Sequence, residues 1–259
     1  MTGLIKRAIF VISCIALIWP YHVFAADDAV KVKSKGGNAL VTRLEGTAFL
    51  LKKNTSELSR ILRGESLTDG DQVTTDADSR IEIKLPDNST IRFDEETTFA
   101  LTSLAVNEKE KKRDVNVNVV IGKTWANVTS FLGNRGGFAI TTKTAVAGVR
   151  GTVYRVNVNK DNSAVVKVYW GEVVVSHRPL TSTYDASGKL AQPLKVPAPH
   201  PVSGPYPVSM EEWTFIVKTM NQITIKQDGT ATEPEQFKPE DDTNDWVVWN
   251  QTLDKEIAR

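Results

Sequence analysis

Apolar and polar residues alternate with a period of two along the middle of the chain, most clearly at 81–85, 91–93 and 115–119. Side chains of a β-strand point alternately to the two faces of a sheet, so this pattern predicts strands that bury one face. No ten-residue helical pattern separates them, which favours an all-β architecture over a doubly wound α/β fold. Further segments predict strands at 39–53 (strand, turn and strand), 97–106, 124–128, 138–142, 152–158, 164–170 and 172–176.

Turn residues divide these strands. Pro86–Ser89 and Lys160–Ser163 predict hairpin turns, and Gly171 predicts another. Residues 56–63 predict a short helix or turn. Glycine-centred pieces recur at irregular spacing, which suits the corners of a short β-solenoid or of a sandwich-like domain. They lie at 46–47, 122–123 and 151–152.

The chain changes character after the last of these strands. Six prolines fall in the fifteen residues from Pro193 to Pro207, which predicts an extended connector. A capping-box pattern at Ser209–Glu212 then predicts the start of a helix. Its apolar face would carry residues at helical spacing, namely Trp213, Ile216, Val217 and Met220.

A second helix is predicted at the C-terminus, because Trp246, Trp249 and Leu253 follow at helical spacing. Its tryptophans either dock on the β domain or on the first helix, or form an exposed anchor for a partner or a cell-wall glycan. The predicted fold is therefore all-β with a small helical C-terminal appendage. The predicted boundaries are a signal peptide at 1–25, an N-terminal β segment packed on the core at 26–63, a β domain at 64–177, a connector at 178–208 and the appendage at 209–259.

The N-terminus predicts export. Lys6 and Arg7 precede an apolar run over residues 8–17, and Val23–Ala25 supplies small residues at the −3 and −1 positions of a cleavage site. This is the layout of a secretory signal peptide, and it predicts a periplasmic or secreted protein cleaved near Ala25.

Two alternatives to cleavage are less favoured. A retained membrane anchor would need about 20 apolar residues, and Pro20 and His22 interrupt the run here. A lipobox at 11–14 would lipidate Cys14, but few apolar residues precede it and the apolar run continues past it. No transmembrane segment is therefore expected after cleavage.

Composition narrows the function classes. Without Lys6 and Arg7 the chain has 30 basic and 31 acidic residues, a net charge of −1, which gives no long-range attraction to nucleic acid or to anionic membranes. Cys14 is the only cysteine, so a cleaved chain has no disulfide, catalytic thiol or cysteine-bound zinc. The mixed-sign charge run at 107–114 favours a solvated hairpin tip over a binding patch.

Four stretches in order resemble the FecR domain, over about Ser66 to Ser176. They are Asp69–Thr75, Ile81–Phe93, Gly122–Val128 and Thr144–Val156. The family commonly has glycine after the turn aspartate, and here the residue is Asn88. Asparagine tolerates the left-handed conformation of such a turn. The residues that match the family signature are Gly70, Asp71, Thr75, Asp87, Gly122, Trp125, Gly148, Gly151, Thr152 and Tyr154.

The last stretch also has a physical interpretation of its own. Gly148 and Gly151 predict positions where a side chain would clash or where φ is positive. Thr152, Tyr154 and Val156 would share one face of a strand. Arg150 lies between the glycines, either as a corner residue that holds backbone carbonyls or as a site that recognises an anion.

The resemblance implies an extracytoplasmic role. In the best-known family members this domain is the periplasmic part of a transmembrane anti-sigma regulator that senses a TonB-dependent outer-membrane receptor. Those members carry a cytoplasmic segment and a transmembrane helix before the domain, where this sequence predicts a signal peptide. The chain resembles stand-alone exported proteins with a FecR domain.

The sequence predicts a non-catalytic envelope binding or scaffold module, whose partner is an envelope protein or a cell-wall polymer. The alternative is a periplasmic regulatory sensor of the FecR type that acts through a separate membrane partner. A hydrolase is disfavoured because His177 and His200 stand in no catalytic motif. No cofactor and no metal are predicted. The candidate partner-binding residues are Arg150, Trp246 and Trp249.

Overall fold

The computed structural model describes residues 37–107, 109–110, 112–130, 135–149, 151–177 and 213–257. They form strands, a short 3-10 helix at Pro239–Asp242 and one α-helix, α1 (Asp245–Ile257). The strands are β1 (Ala39–Glu45), β2 (Ala48–Leu51), β3 (Leu58–Arg60), β4 (Ser66–Leu67), β5 (Gln72–Thr75), β6 (Arg80–Lys84), β7 (Thr90–Phe93), β8 (Thr98–Asn107), β9 (Lys112–Val128), β10 (Arg135–Thr141), β11 (Ala145–Val149), β12 (Thr152–Val158), β13 (Ala164–Trp170), β14 (Glu172–His177), β15 (Thr214–Lys218), β16 (Asn221–Ile225) and β17 (Glu235–Gln236).

The strands form two sheets that share β9. Sheet A has the order β4-β1-β6-β7-β9-β12-β13-β16-β17 and is antiparallel throughout. Sheet B has the order β3-β2-β5-β8-β9-β10-β11-β14-β15, with one parallel pair, β9 with β10. The first half of β9 pairs in sheet B and the second half in sheet A, so this strand links the two layers.

A continuous core lies between the sheets. Alternate residues of sheet A, such as Ile81, Ile83 and Phe93, are fully buried. The ring of Phe93 stacks on that of Phe99 in sheet B, with centroids 3.5 Å apart. The predicted all-β fold with a C-terminal helix is confirmed, and the predicted corners are the points where the chain passes from one sheet to the other.

Positive φ values mark these passages. They occur at Gly46, Gly64, Gly70, Asp78, Glu96, Gly122, Gly151, Gly171 and Met220. Gly122 has the largest of these φ values, 105°, and lies where β9 passes from sheet B into sheet A. A Cβ atom there would lie 2.2 Å from Thr97 Oγ1, so glycine is required by conformation and by space.

The hairpin turns at Pro86–Ser89 and Lys160–Ser163 are confirmed by the pairing of β6 with β7 and of β12 with β13. Asn88 has the expected left-handed conformation, with a φ of 66°. The prediction of a hairpin at Gly171 is wrong, since β13 pairs with β12 and β16 in sheet A, β14 pairs with β11 and β15 in sheet B, and Gly171 joins the two sheets. Residues 58–60 form β3, where a short helix or turn was predicted.

The first predicted C-terminal helix is also wrong. Residues 214–218 form β15, which extends sheet B, and β16 follows in sheet A. The chain there reads Thr-Phe-Ile-Val-Lys, rich in residues that favour strands, and the edge of β14 offers backbone partners. The predicted signal peptide, the connector and Ser209 lie outside the described residues, and the predicted boundaries stay predictions.

Candidate functional site

The outer face of sheet A carries a cross-strand row of charged and aromatic side chains. Register places Arg92, Trp125, Arg155 and Lys167 opposite one another on β7, β9, β12 and β13. Strands lie about 4.8 Å apart, so this basic row extends over roughly 14 Å. Glu82 of β6 continues it at one end.

The basic row is covered by the C-terminal tail (residues 237–257). Asp254 of α1 accepts hydrogen bonds from Arg92 Nη1 at 2.7 Å and from the Trp125 indole at 2.9 Å. The guanidinium of Arg92, fully buried, also donates to Glu82 at 2.6 Å. A buried charge is strongly destabilising unless it is paired, so these two carboxylates are what permits Arg92 to lie under the tail.

A second carboxylate of the tail neutralises the other end of the row. Asp242, in the 3-10 helix, accepts hydrogen bonds from Arg155 Nη2, from Lys167 Nζ at 2.9 Å and from the phenol of Tyr169. Burial raises the pKa of Tyr169, so the phenol stays protonated and donates. The ring of Tyr169 lies between Trp125 and Phe237, at centroid distances of 4.4 and 5.6 Å.

The tryptophans of α1 pack beside this network. Trp246 is 2% exposed and clusters with Trp125, while Trp249 is partly exposed and stacks on Trp246 at 5.4 Å. Arg80 lies over both rings, 5.7 and 5.3 Å from their centroids, and pairs with Asp245 and Asp94. In this structure the tryptophans dock on the β domain and Trp246 is almost fully buried there, while partner binding by Trp246 stays a prediction.

The other candidate partner-binding residues have different positions. Trp249 donates its indole hydrogen to Glu45 at 3.2 Å and keeps part of its ring in solvent. Partner binding by Trp249 stays a prediction. Arg150 lies outside the described residues, as does His200. His177 ends β14 with its ring 6.2 Å from that of Trp213.

Three polar residues of the family signature, Asp71, Thr75 and Asp87, stabilise loops by side-chain hydrogen bonds. Asp71 is buried and accepts from the backbone of Thr68 at 2.8 Å and of Lys53 at 3.1 Å. Thr75 donates to the Asp94 carbonyl and accepts from the Thr97 amide. Both residues therefore satisfy buried backbone groups where β5 begins and ends.

Asp87 has a similar role in the turn between β6 and β7. It accepts from the Ser89 amide and hydroxyl, and it forms an ion pair with Arg113 at 3.0 Å. Arg113 also donates to the Thr129 carbonyl at 3.1 Å. The hairpin tip predicted at 107–114 is present, but it contains this buried arginine that ties sheet B to sheet A.

The two signature glycines of the stretch Thr144–Val156 occupy different kinds of position. Gly151 has a φ of 73°, and its carbonyl lies 2.8 Å from where a Cβ of Gly171 would stand, so two corners meet there. Gly148 lies within β11, has no positive φ, and a Cβ there would meet nothing closer than 3.9 Å, so the prediction of a clash or a positive φ is wrong at this position. Thr152, Tyr154 and Val156, which were predicted to share one face of a strand, are all buried.

The residues that join the tail to sheet A were missed from the sequence. Arg92 and Arg155 occupy outward positions of alternating strands, which ordinarily predicts solvent exposure. Asp242 and Asp254 lie more than 70 residues further along the chain than the residues they contact. The sequence feature that could have predicted this contact is the apolar face of α1, because such a face has to pack against another part of the protein.

No group of three histidine, cysteine or acidic residues suited to a metal ion occurs within the described ranges. In that same part of the chain, no helix combines the length and the apolar character needed to cross a membrane.

Comparison with known proteins identifies the central domain. The family model described as FecR protein matches residues 71–174, whereas no curated protein matched the chain. Two crystal structures of a candidate anti-sigma factor from Parabacteroides distasonis are 16% and 15% identical, each with a TM-score of 0.43 and 64% of this chain covered. The matched part spans 59% of those solved chains, less than two thirds of their length. The resemblance predicted from the four stretches is confirmed, and over residues 71–174 this chain carries a domain of the FecR family.

Proposed function

We propose that the chain is a non-catalytic regulatory sensor of the FecR type, which acts outside the cytoplasm by binding a partner protein of the cell envelope. The observation that supports this most is the FecR match over residues 71–174. The best-known domains of this family transmit the state of a TonB-dependent receptor to a sigma-factor circuit. The predicted signal peptide would deliver the domain to the compartment where such receptors are reached.

The site supports a binding role more than a chemical one. The charged side chains that sheet A and the tail bury form ion pairs with one another, as in Arg92 with Asp254 and Arg155 with Asp242. Catalysis needs a nucleophile or a general base in reach of an accessible substrate, and these carboxylates are engaged in ion pairs under the tail. We therefore assign the face to protein contact.

The hypothesis of an envelope scaffold gives way to the regulatory one, because nothing in the described residues favours a wall polymer as ligand. The regulatory partner would be a separate membrane protein, either a receptor or a membrane-bound anti-sigma regulator.

Affinity capture from envelope extracts of the bacterium that produces the protein tests this proposal. The tagged chain is cross-linked in cells, purified and compared with an unrelated exported β-sandwich as control. We expect enrichment of a TonB-dependent receptor or of a membrane anti-sigma protein. Recovery of wall material alone, with no membrane protein above the control, would refute the regulatory proposal.

A further inference from the structure

The C-terminal tail occupies the basic row as a ligand would occupy a binding surface. We propose that the basic row is a docking surface for an acidic, tryptophan-bearing helical segment of a partner protein, and that the chain's own tail is the occupant which this partner displaces. The inference deepens the proposed function, since it rests on that function for the presence of a protein partner and adds the chemistry of its contact segment.

Charge complementarity is the first argument. The basic row has three cations, Arg92, Arg155 and Lys167, and sheet A itself supplies one adjacent carboxylate, Glu82. Asp242 and Asp254 of the tail bring two more, which balances three positive charges with three negative ones. Without the tail the face has an excess of two positive charges, and an acidic segment is the chemistry that matches it.

The row is also not arranged for its own stability. Arg155 and Lys167 are directly opposed on neighbouring strands, an arrangement in which like charges repel. Placing Asp242 between them converts this repulsion into two ion pairs. Such an arrangement is favourable only when an anionic group binds there, which points to recognition.

Docking of the tail leaves hydrogen-bonding capacity unused. Arg92 Nη2 and Arg155 Nε are buried and make no hydrogen bond with the described residues. A segment that supplies one or two more acceptors would satisfy donors that the tail does not. A partner can therefore compete with the tail although the tail is part of the same chain.

The tail is suited to release. Helix α1 has 13 residues, a length at which an isolated helix is marginal in water, so its order depends on docking. The described chain connects it to sheet A through β16 and β17, and tethering gives it an effective concentration in the millimolar range. This tether sets the affinity that a partner must exceed, and aromatic anchors such as Trp246 contribute strongly to such contacts.

The experiment uses a fluorescent peptide of residues 237–257 as the acidic probe and measures its anisotropy with the full chain. The unaltered chain should bind the peptide weakly, because its own tail competes. The D242N/D254N chain, whose tail loses both carboxylates while the row is intact, should bind at least tenfold more tightly. Adding R92Q/R155Q to that chain should abolish binding.

Matched controls separate this effect from a general change in charge. Asp161 and Asp228 lie in exposed turns away from the row, so the D161N/D228N chain should bind the peptide as the unaltered chain does. A peptide that carries D242N and D254N should not bind any of the chains. If D242N/D254N disturbs folding by circular dichroism, W249A serves instead. It weakens docking of the tail by removing the stacking on Trp246 and the hydrogen bond to Glu45, and it leaves the row intact.

Two outcomes would overturn the proposal. One is that the folded D242N/D254N and W249A chains bind the peptide no better than the unaltered chain, or bind it independently of Arg92 and Arg155. The other is a tail-exchanged dimer of the unaltered chain in light scattering, which would make a second copy the occupant. Neither outcome depends on the capture experiment, so failure of the docking surface is distinguishable from failure of the regulatory role.

Discussion

Gly122 shows how much a single residue decides in this fold. It lies where β9 leaves sheet B and enters sheet A, with a φ of 105° and with Thr97 against its Cα. Replacing it by alanine adds a Cβ only 2.2 Å from Thr97 Oγ1 and 2.6 Å from Thr97 Cα. Combining backbone strain and overpacking, we expect G122A to lower the free energy of unfolding by about 2–4 kcal/mol.

Gly148 is the matched control for this substitution. It belongs to the same family signature, but a Cβ there would meet nothing closer than the Val174 carbonyl at 3.9 Å. G148A should therefore change the free energy of unfolding by no more than about 1 kcal/mol. Urea denaturation of both variants measures the difference, and equal losses would contradict the role given to the sheet passage at Gly122.

The two glycines also show what the sequence can and cannot reveal at this scale. Glycine is recognisable as a breaker of strands, and this placed the corners at Gly122 and Gly151 correctly. The sequence does not distinguish a glycine that needs a positive φ from one, such as Gly148, that lies in an ordinary strand. That distinction depends on neighbours such as Thr97, which only the fold brings close.

At the scale of elements, the docking of α1 on sheet A depends more on Asp254 than on the other carboxylates of the helix. Asp254 pairs with the fully buried Arg92 and with the Trp125 indole. Removing Asp254 leaves the buried Arg92 with Glu82 as its remaining carboxylate partner and takes the acceptor from the Trp125 indole, at a cost of about 3 kcal/mol. We expect D254A to weaken the docking of α1 to this degree, up to the point where the helix detaches and Arg92 becomes hydrated.

Asp245 provides the comparison on the same helix. It also pairs with an arginine, Arg80, but its side chain is 85% exposed. An exposed pair contributes about 0–1 kcal/mol, so D245A should have little effect. Tryptophan fluorescence in a urea titration follows the environment of Trp125 and Trp246. Similar losses in the two variants would mean that α1 is held by its apolar contacts alone.

Periodicity predicted one of the two C-terminal elements correctly. Trp246, Trp249 and Leu253 lie on α1 as expected. The same spacing at Trp213, Ile216 and Val217 is fortuitous. Within β15 only Val217 is fully buried, with Ile216 on the opposite face, and pairing with β14 overrides the helical pattern.

At the scale of the whole molecule, the sequence predicts the two-layer core better than the surface that covers it. Alternation identifies the inward side chains of each strand, and these form the core as expected. The outward positions of sheet A read as solvated, yet Arg92 and Trp125 are buried under α1. A local pattern cannot contain this information, since the covering segment arrives from more than 120 residues away.

The pH dependence of stability can test two contacts of the molecule, the packing of the two sheets and the docking of the tail, because a tyrosine is buried in each. Tyr154 lies between the sheets and Tyr169 lies under the tail, and burial raises the pKa of both phenols above the ordinary value near 10. Above pH 10 the unfolded chain releases these protons while the folded chain retains them. The contribution of these tyrosines to the free energy of unfolding should therefore be constant below about pH 10 and fall above it, by up to about 1.4 kcal/mol per pH unit for each tyrosine.

Single phenylalanine variants separate the two contributions. Y154F should remove one tyrosine's share of the alkaline slope at little cost near pH 7, because the Tyr154 hydroxyl makes no hydrogen bond with the described residues. Y169F should remove a similar share but should also cost stability near pH 7, since it loses the hydrogen bond to Asp242. Urea midpoints between pH 8 and 11 measure both effects. A slope unchanged in Y154F would place that phenol in contact with solvent, and the closed packing of the two sheets at β12 would be refuted.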